Sequence, residues 1–128
     1  MEKKRILIVS YYNNGDFRNR VNAELMHRKM VKQLEDEGKE VYTTSKMFEI
    51  TRTTFQDGST VVSAGFGAYL RGQSCTHVYI DEKLAEEGVD MNKVFTHGNF
   101  SVEHKENNIF TYSIEDNDIS IKNYKGWI

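Results

Sequence analysis

The chain has 128 residues, 38% hydrophobic and 28% charged, with a net formal charge of −2. That length suits one compact domain, and the composition excludes a disordered tail; no apolar run approaches the roughly 20 residues a membrane-spanning helix needs. The single cysteine, Cys75, excludes an internal disulfide framework and a Cys-rich zinc module.

Arg5-Ile6-Leu7-Ile8-Val9-Ser10 is a continuous β-branched apolar run, the pattern of a strand buried on both faces of a parallel sheet. The basic Met1–Arg5 stretch before it leads into too short an apolar segment for a signal peptide, so the expected compartment is the cytoplasm. Tyr11–Gly15 reads as a loop, with Asp16 placed to cap a helix. From there Phe17, Val21 and Leu25, then Met26, Met30 and Leu34, recur at spacings of four and predict a helix over 16–37. Gly38 falls where a left-handed C-cap is expected. Lys39–Thr43 reads as a second strand, so that strand, helix and strand form a parallel crossover unit.

The period then changes. Phe48, Ile50 and Arg52 alternate with polar residues, and Asp57-Gly58 stands between two strand-forming runs, the signature of a hairpin. Gly65–Gly72 is a glycine-bounded loop or short helix. His77–Ile80 is a further strand that ends in Asp81-Glu82. Lys83–Glu87 reads as a helical turn closed by Gly88, and Asp90 caps a further turn. Phe100–His104, Ile109–Ile114 and Ile119–Tyr124 are three β-rich runs separated by Asn- and Asp-containing turns. The expected fold is therefore α/β: a single-domain mixed β-sheet with a parallel βαβ core, one long helix and a C-terminal antiparallel β-meander.

Charge is uneven. Residues 1–32 carry a net +5, whereas residues 65–128 carry −4. A basic amino end can meet a phosphate backbone, although without an aromatic stacking row it equally describes a solvated helix face.

The sharpest chemical constellation is the segment Arg71–Glu82. A buried strand that delivers two adjacent carboxylates at its C-terminal end suits metal-assisted phosphoryl transfer. Asp81 would hold Mg²⁺ and Glu82 would orient and deprotonate an attacking water. The plainer reading of the same pair is a helix N-cap and its first-turn charge.

The run Thr53–Val62 with its Asp-Gly-Ser turn, the Leu70-Arg71-Gly72-Gln73-Ser74 loop and the strand His77–Ile80 ending in Asp81-Glu82 together resemble the Walker B region of phage large-terminase and helicase-like P-loop ATPases. The strand and helix that begin at Lys4 look like the elements between Walker A and Walker B in that family. The resemblance covers about residues 4–82. It implies a P-loop-ATPase-like core over 1–82 and a β-rich extension over 83–128. It also implies that Asp81 is the Mg²⁺-associated carboxylate, Glu82 the catalytic carboxylate and Arg71 the arginine of the loop before the Walker B strand. The sequence departs from the family in having no Gly-x-x-x-x-Gly-Lys-Ser/Thr. Without that loop nothing cradles the β- and γ-phosphates. The expectation is therefore a degenerate relative that binds rather than hydrolyses. Its partner would be a phage or host protein, or a nucleic acid engaged through the basic N-terminal region, in the host cytoplasm if the chain is phage-encoded. The first alternative is a small nucleotide- or metal-dependent phosphoryl-transfer enzyme using Asp81 and Glu82. The second is an inhibitor or assembly protein that pairs through an edge strand.

Other residues carry weaker ligand signals. Ser10, Asn13, Asn14 and Gly15 follow a strand and open a helix, where α/β folds place phosphate, although Asp16 would repel an anion. His27, His77, His97 and His104 lack the spacing of a metal site. Cys75 and His77, two residues apart in a strand, would share a face as a nucleophile and base; two residues of a strand also meet this way by coincidence.

Overall fold

The computed structural model describes residues 3–11, 17–47, 50–65, 74–86, 88, 101–102 and 108–124, with side chains for all of these except 17–20, 47 and 101. In chain order the elements are β1 (Arg5–Ser10), α1 (Phe17–Asp36), β2 (Val41–Met47), β3 (Ile50–Phe55), β4 (Thr60–Gly65), β5 (Ser74–Cys75), β6 (His77–Asp81), α2 (Lys83–Glu86), β7 (Ser101–Val102), β8 (Ile109–Glu115) and β9 (Asp118–Asn123). Seven strands form one mixed sheet in the order β2-β3-β4-β1-β6-β8-β9, and β5 pairs with β7 in a separate two-stranded sheet. The fold is α/β.

The most apolar segment takes the central place. β1 runs parallel to β4 on one side and to β6 on the other, and β6 runs parallel to β8. A strand hydrogen-bonded on both sides and covered on both faces must be apolar at every position, and Ile6, Leu7, Ile8 and Val9 are all at most 2% exposed. Alternation along the strands divides the core in two. Leu7 and Val9 pack with Val62, Val78, Ile80, Leu84 and Ile109 on one face. Ile6 and Ile8 pack with Met26, Met30, Leu34, Tyr79 and Tyr112 on the other. The second face is the one that α1 covers.

Of the helical stripe expected in α1, Met26, Met30 and Leu34 are buried, whereas Val21 is left 40% exposed. The helix closes on a Schellman motif: Gly38 N–H reaches Glu35 O at 2.9 Å and Lys39 N–H reaches Leu34 O at 3.1 Å, with Gly38 at φ +92°.

The strand expected over residues 39–43 forms as β2 and keeps the direction of β1, but β3 and β4 stand between the two. β2 lies at the sheet edge, antiparallel to β3, and β3 is antiparallel to β4. The physical reason lies in its composition: Val41-Tyr42-Thr43-Thr44-Ser45-Lys46 is polar on both faces and exposed throughout, which suits an edge and not a buried parallel strand. The Asp57-Gly58 hairpin is present, with Gly58 at φ +90°. At the carboxyl end β8 and β9 pair antiparallel across Asp116 and Asn117, both with positive φ, the geometry of a two-residue hairpin turn. Of the first β-rich run, Phe100–His104, Ser101 and Val102 pair with Ser74 and Cys75 instead of joining the main sheet.

Candidate functional site

Ligands of open α/β sheets bind beyond the carboxyl ends of the parallel strands. That edge carries Ser10 of β1, Asp81 of β6 and Tyr112 of β8. The Ser10 and Tyr112 hydroxyls lie 3.3 Å apart, both groups being at most 2% exposed. Asp81 stands opposite Tyr112 in the parallel ladder. It ends its strand buried, accepting hydrogen bonds from the backbone of Lys83 at 3.0 Å and of Tyr11. Burial pushes its carboxyl above the usual carboxylate range, partly offset by these two donors and the Lys83 charge. Tyr112 is pushed well above the ordinary phenol range by burial and by the Asp81 charge. The Lys83 ammonium sits over the Tyr11 ring at 5.3 Å.

Glu82, the next residue, goes elsewhere. Thr111 Oγ1 donates to Glu82 Oε1 at 3.3 Å, and Lys122 Nζ lies 3.7 Å from the same oxygen. Thr111 and Lys122 are ladder partners in β8 and β9, and Thr111 alternates with Phe110 and Tyr112, which pack on the α1 side. Asp81 therefore points to the α1 face with Tyr112, and Glu82 to the opposite face with Thr111. Backbone alternation separates the two carboxylates. Together they open α2: Asp81 receives the Lys83 N–H, and Glu82 O accepts from Ala85 and Glu86.

Asp81, the carboxylate expected to hold Mg²⁺, is buried and already accepts two backbone N–H bonds, and Glu82, the expected base, is engaged by Thr111 and Lys122. No group of three or more His, Cys, Asp or Glu is placed to hold a metal among the described residues. Of the ligand-binding residues expected from sequence, Ser10 is at the strand edge; Asn13, Asn14, Gly15 and Arg71 lie outside the described residues, as do His97 and His104. Cys75 is buried with Leu7 and Val78, whereas His77 stacks on Phe110 at 6.4 Å on the other face, so the bend at Thr76 parts them.

A second polar arrangement went unrecognised in the sequence. His27 of α1 is 7% exposed. Its Nδ1 is hydrogen-bonded to Ser63 Oγ, its Nε2 lies 2.8 Å from Thr53 Oγ1, and Thr53 continues to Thr44 Oγ1 at 3.2 Å. Burial, reinforced by Lys46, lowers its pKa from 6.5 to about 4, so the imidazole is neutral at pH 7. The available signal was its position: His27 directly follows Met26 and precedes Met30 by one turn, so it faces the core and needs partners there. Around this chain lies a cleft of about 640 Å³ between α1 and strands β1 to β4.

No described helix is long and apolar enough to cross a membrane. No protein-family model matches the chain, and neither a curated protein nor a solved structure matches it with significance.

Proposed function

We propose that the chain is a non-catalytic, degenerate relative of phage terminase-like P-loop ATPases that acts by binding a partner. The observation that carries the reading is the divergence of Asp81 and Glu82. Metal-assisted water attack requires a metal carboxylate and a base carboxylate around one reacting centre. Here one carboxylate is buried beside Tyr112 and the other is engaged by Thr111 and Lys122 on the opposite face. In this reading the parallel strands β4, β1, β6 and β8 are the remnant of a parallel βαβ core. The β8–β9 hairpin is the remnant of a longer C-terminal meander.

The partner is a phage or host protein, or a nucleic acid. Pairing within the basic N-terminal region favours a protein: Lys4 Nζ is 2.5 Å from Glu37, and Lys32 Nζ is 3.5 Å from Asp36. Each such contact neutralises a cation that a phosphate backbone would use. The enzyme alternative draws on one observation, the raised pKa of Asp81 at the carboxyl edge of the sheet. Thermal unfolding with ATP and Mg²⁺ separates the two: the binding reading expects no shift in midpoint, and the enzyme reading expects a saturable rise.

A further inference from the structure

The cleft beneath α1 is lined by neither Asp81 nor Glu82 and meets the strand-end site at Ser10. Its floor is a row of hydroxyls from four successive strands: Ser10, Ser63, Thr53 and Thr44 are among them, and α1 supplies His27 and Val31 as its wall. We propose that this cleft is a binding site for an uncharged sugar ring, carried either by a free saccharide or by a nucleoside.

Three features of the cleft define that chemistry. Its volume, about 640 Å³, lies within the range of small-molecule sites. The second is charge balance. Glu24 and Glu35 face the cleft with Arg28 and Lys46, and the Lys46 ammonium lies 3.4 Å from Glu24. An anion meets the glutamates and a cation meets the basic pair, so neither is favoured. The third is the hydrogen-bonding character of the floor. Each hydroxyl both donates and accepts, and neutral His27 donates through one nitrogen and accepts through the other. The chain Ser63–His27–Thr53–Thr44 therefore runs in one direction or reverses as a unit, leaving complementary capacity at its ends. A sugar hydroxyl, itself donor and acceptor, is satisfied by either direction. Val31 and Ala23 add apolar surface for the C–H face of the ring.

The test is a ¹H–¹⁵N NMR titration of the full chain, in separate samples, with glucose, ribose, adenosine and uridine, each to about 10 mM, with AMP as the charged comparison. Saturable shifts at the His27, Thr53 and Ser63 amides are expected with at least one neutral probe. Binding by the monosaccharides alone assigns a free saccharide, and binding by the nucleosides alone assigns a nucleoside; either supports the site. Thr53→Val should weaken binding at least about tenfold, equivalent to the loss of one well-made hydrogen bond. Thr44→Val, at the exposed end of the chain, should do so without endangering the fold. Tyr42→Ala, outside the cleft, should leave affinity unchanged. Absence of saturable shifts with every neutral probe, shifts confined to other residues, or AMP binding tenfold tighter than adenosine would each overturn the proposal.

Discussion

Asp81 and Glu82 are consecutive in the chain and lie on opposite faces of the sheet, one beside Tyr112 and the other held by Thr111 and Lys122. A strand alternates its side chains, so two consecutive carboxylates share a face only when the backbone leaves the strand between them. Here Glu82 N–H still donates to Tyr112 O at 2.9 Å, so the pairing with β8 carries the alternation one residue past Asp81 before α2 begins at Lys83.

The environment of Asp81 has a pH signature. Its folded pKa is raised, so the folded state holds the proton more tightly than the unfolded chain. That contribution is complete below the unfolded value of about 3.9 and is lost as pH rises through the folded value. Asp81→Asn keeps an oxygen for the Lys83 N–H and removes the buried charge. Thermal melts across pH 4 to 7 should show the variant gaining on the wild type as pH rises; parallel curves would place Asp81 in an ordinary solvated setting.

His27 titrates in the opposite sense. Its pKa of about 4 lies below the ordinary 6.5, so protonation favours the unfolded chain. Stability linked to this group is complete above pH 6.5 and falls as pH drops toward 4. His27→Phe should flatten that limb of the stability curve. The wild-type imidazole resonances should titrate near pH 4; a midpoint near 6.5 would mean that the ring is solvated.

Lys39 and Asp57 form a different kind of pair. The Lys39 side chain is 3% exposed and its ammonium is 2.6 Å from Asp57 Oδ2, in the hairpin turn before β4. Hydrogen bonds from Lys39 and from the Ser59 backbone hold Asp57 down to about 2. The linked stability is present above the ordinary carboxylate range and is lost as pH falls toward 2. Lys39→Met should shrink this acid-limb loss, leaving the part that the Ser59 N–H supplies, while Asp57→Asn should lower the midpoint at pH 7 by leaving a buried ammonium without its carboxylate. Equal midpoints for Asp57→Asn and wild type would refute the pairing.

Packing under α1 is concentrated in one stripe. Met30 is fully buried against Ile6 and Ile8. Met30→Ala should cost about 2–5 kcal/mol, whereas Val21→Ala, at a half-exposed position, should stay within about 1 kcal/mol. Chemical denaturation measures both; similar losses at the two sites would mean that the helix seats on a broader face.

Much of this architecture was legible locally. The Ile6–Val9 run, the Gly38 cap, the Asp57-Gly58 turn and the Met26-Met30-Leu34 stripe each encode their structure within a few residues. The placement of β2 was not, because a polar strand after a helix reads the same at the sheet edge as beside β1. The strand ending in Asp81-Glu82 was legible, but the divergence of the pair depends on where the strand stops. The His27 chain was invisible for a related reason: Thr53 and Ser63 lie 26 and 36 residues from His27, and only the β3–β4 hairpin folding under α1 brings them together.

The central claim is that Asp81 and Glu82 do not act on one reacting centre. Phosphate release from ATP with Mg²⁺, measured for the wild type, Asp81→Asn and Glu82→Gln, tests it most directly. The account predicts that all three remain at the rate of the protein-free control. Mg²⁺-dependent turnover by the wild type that falls at least about a hundredfold in Glu82→Gln, the scale of losing a general base, would contradict it.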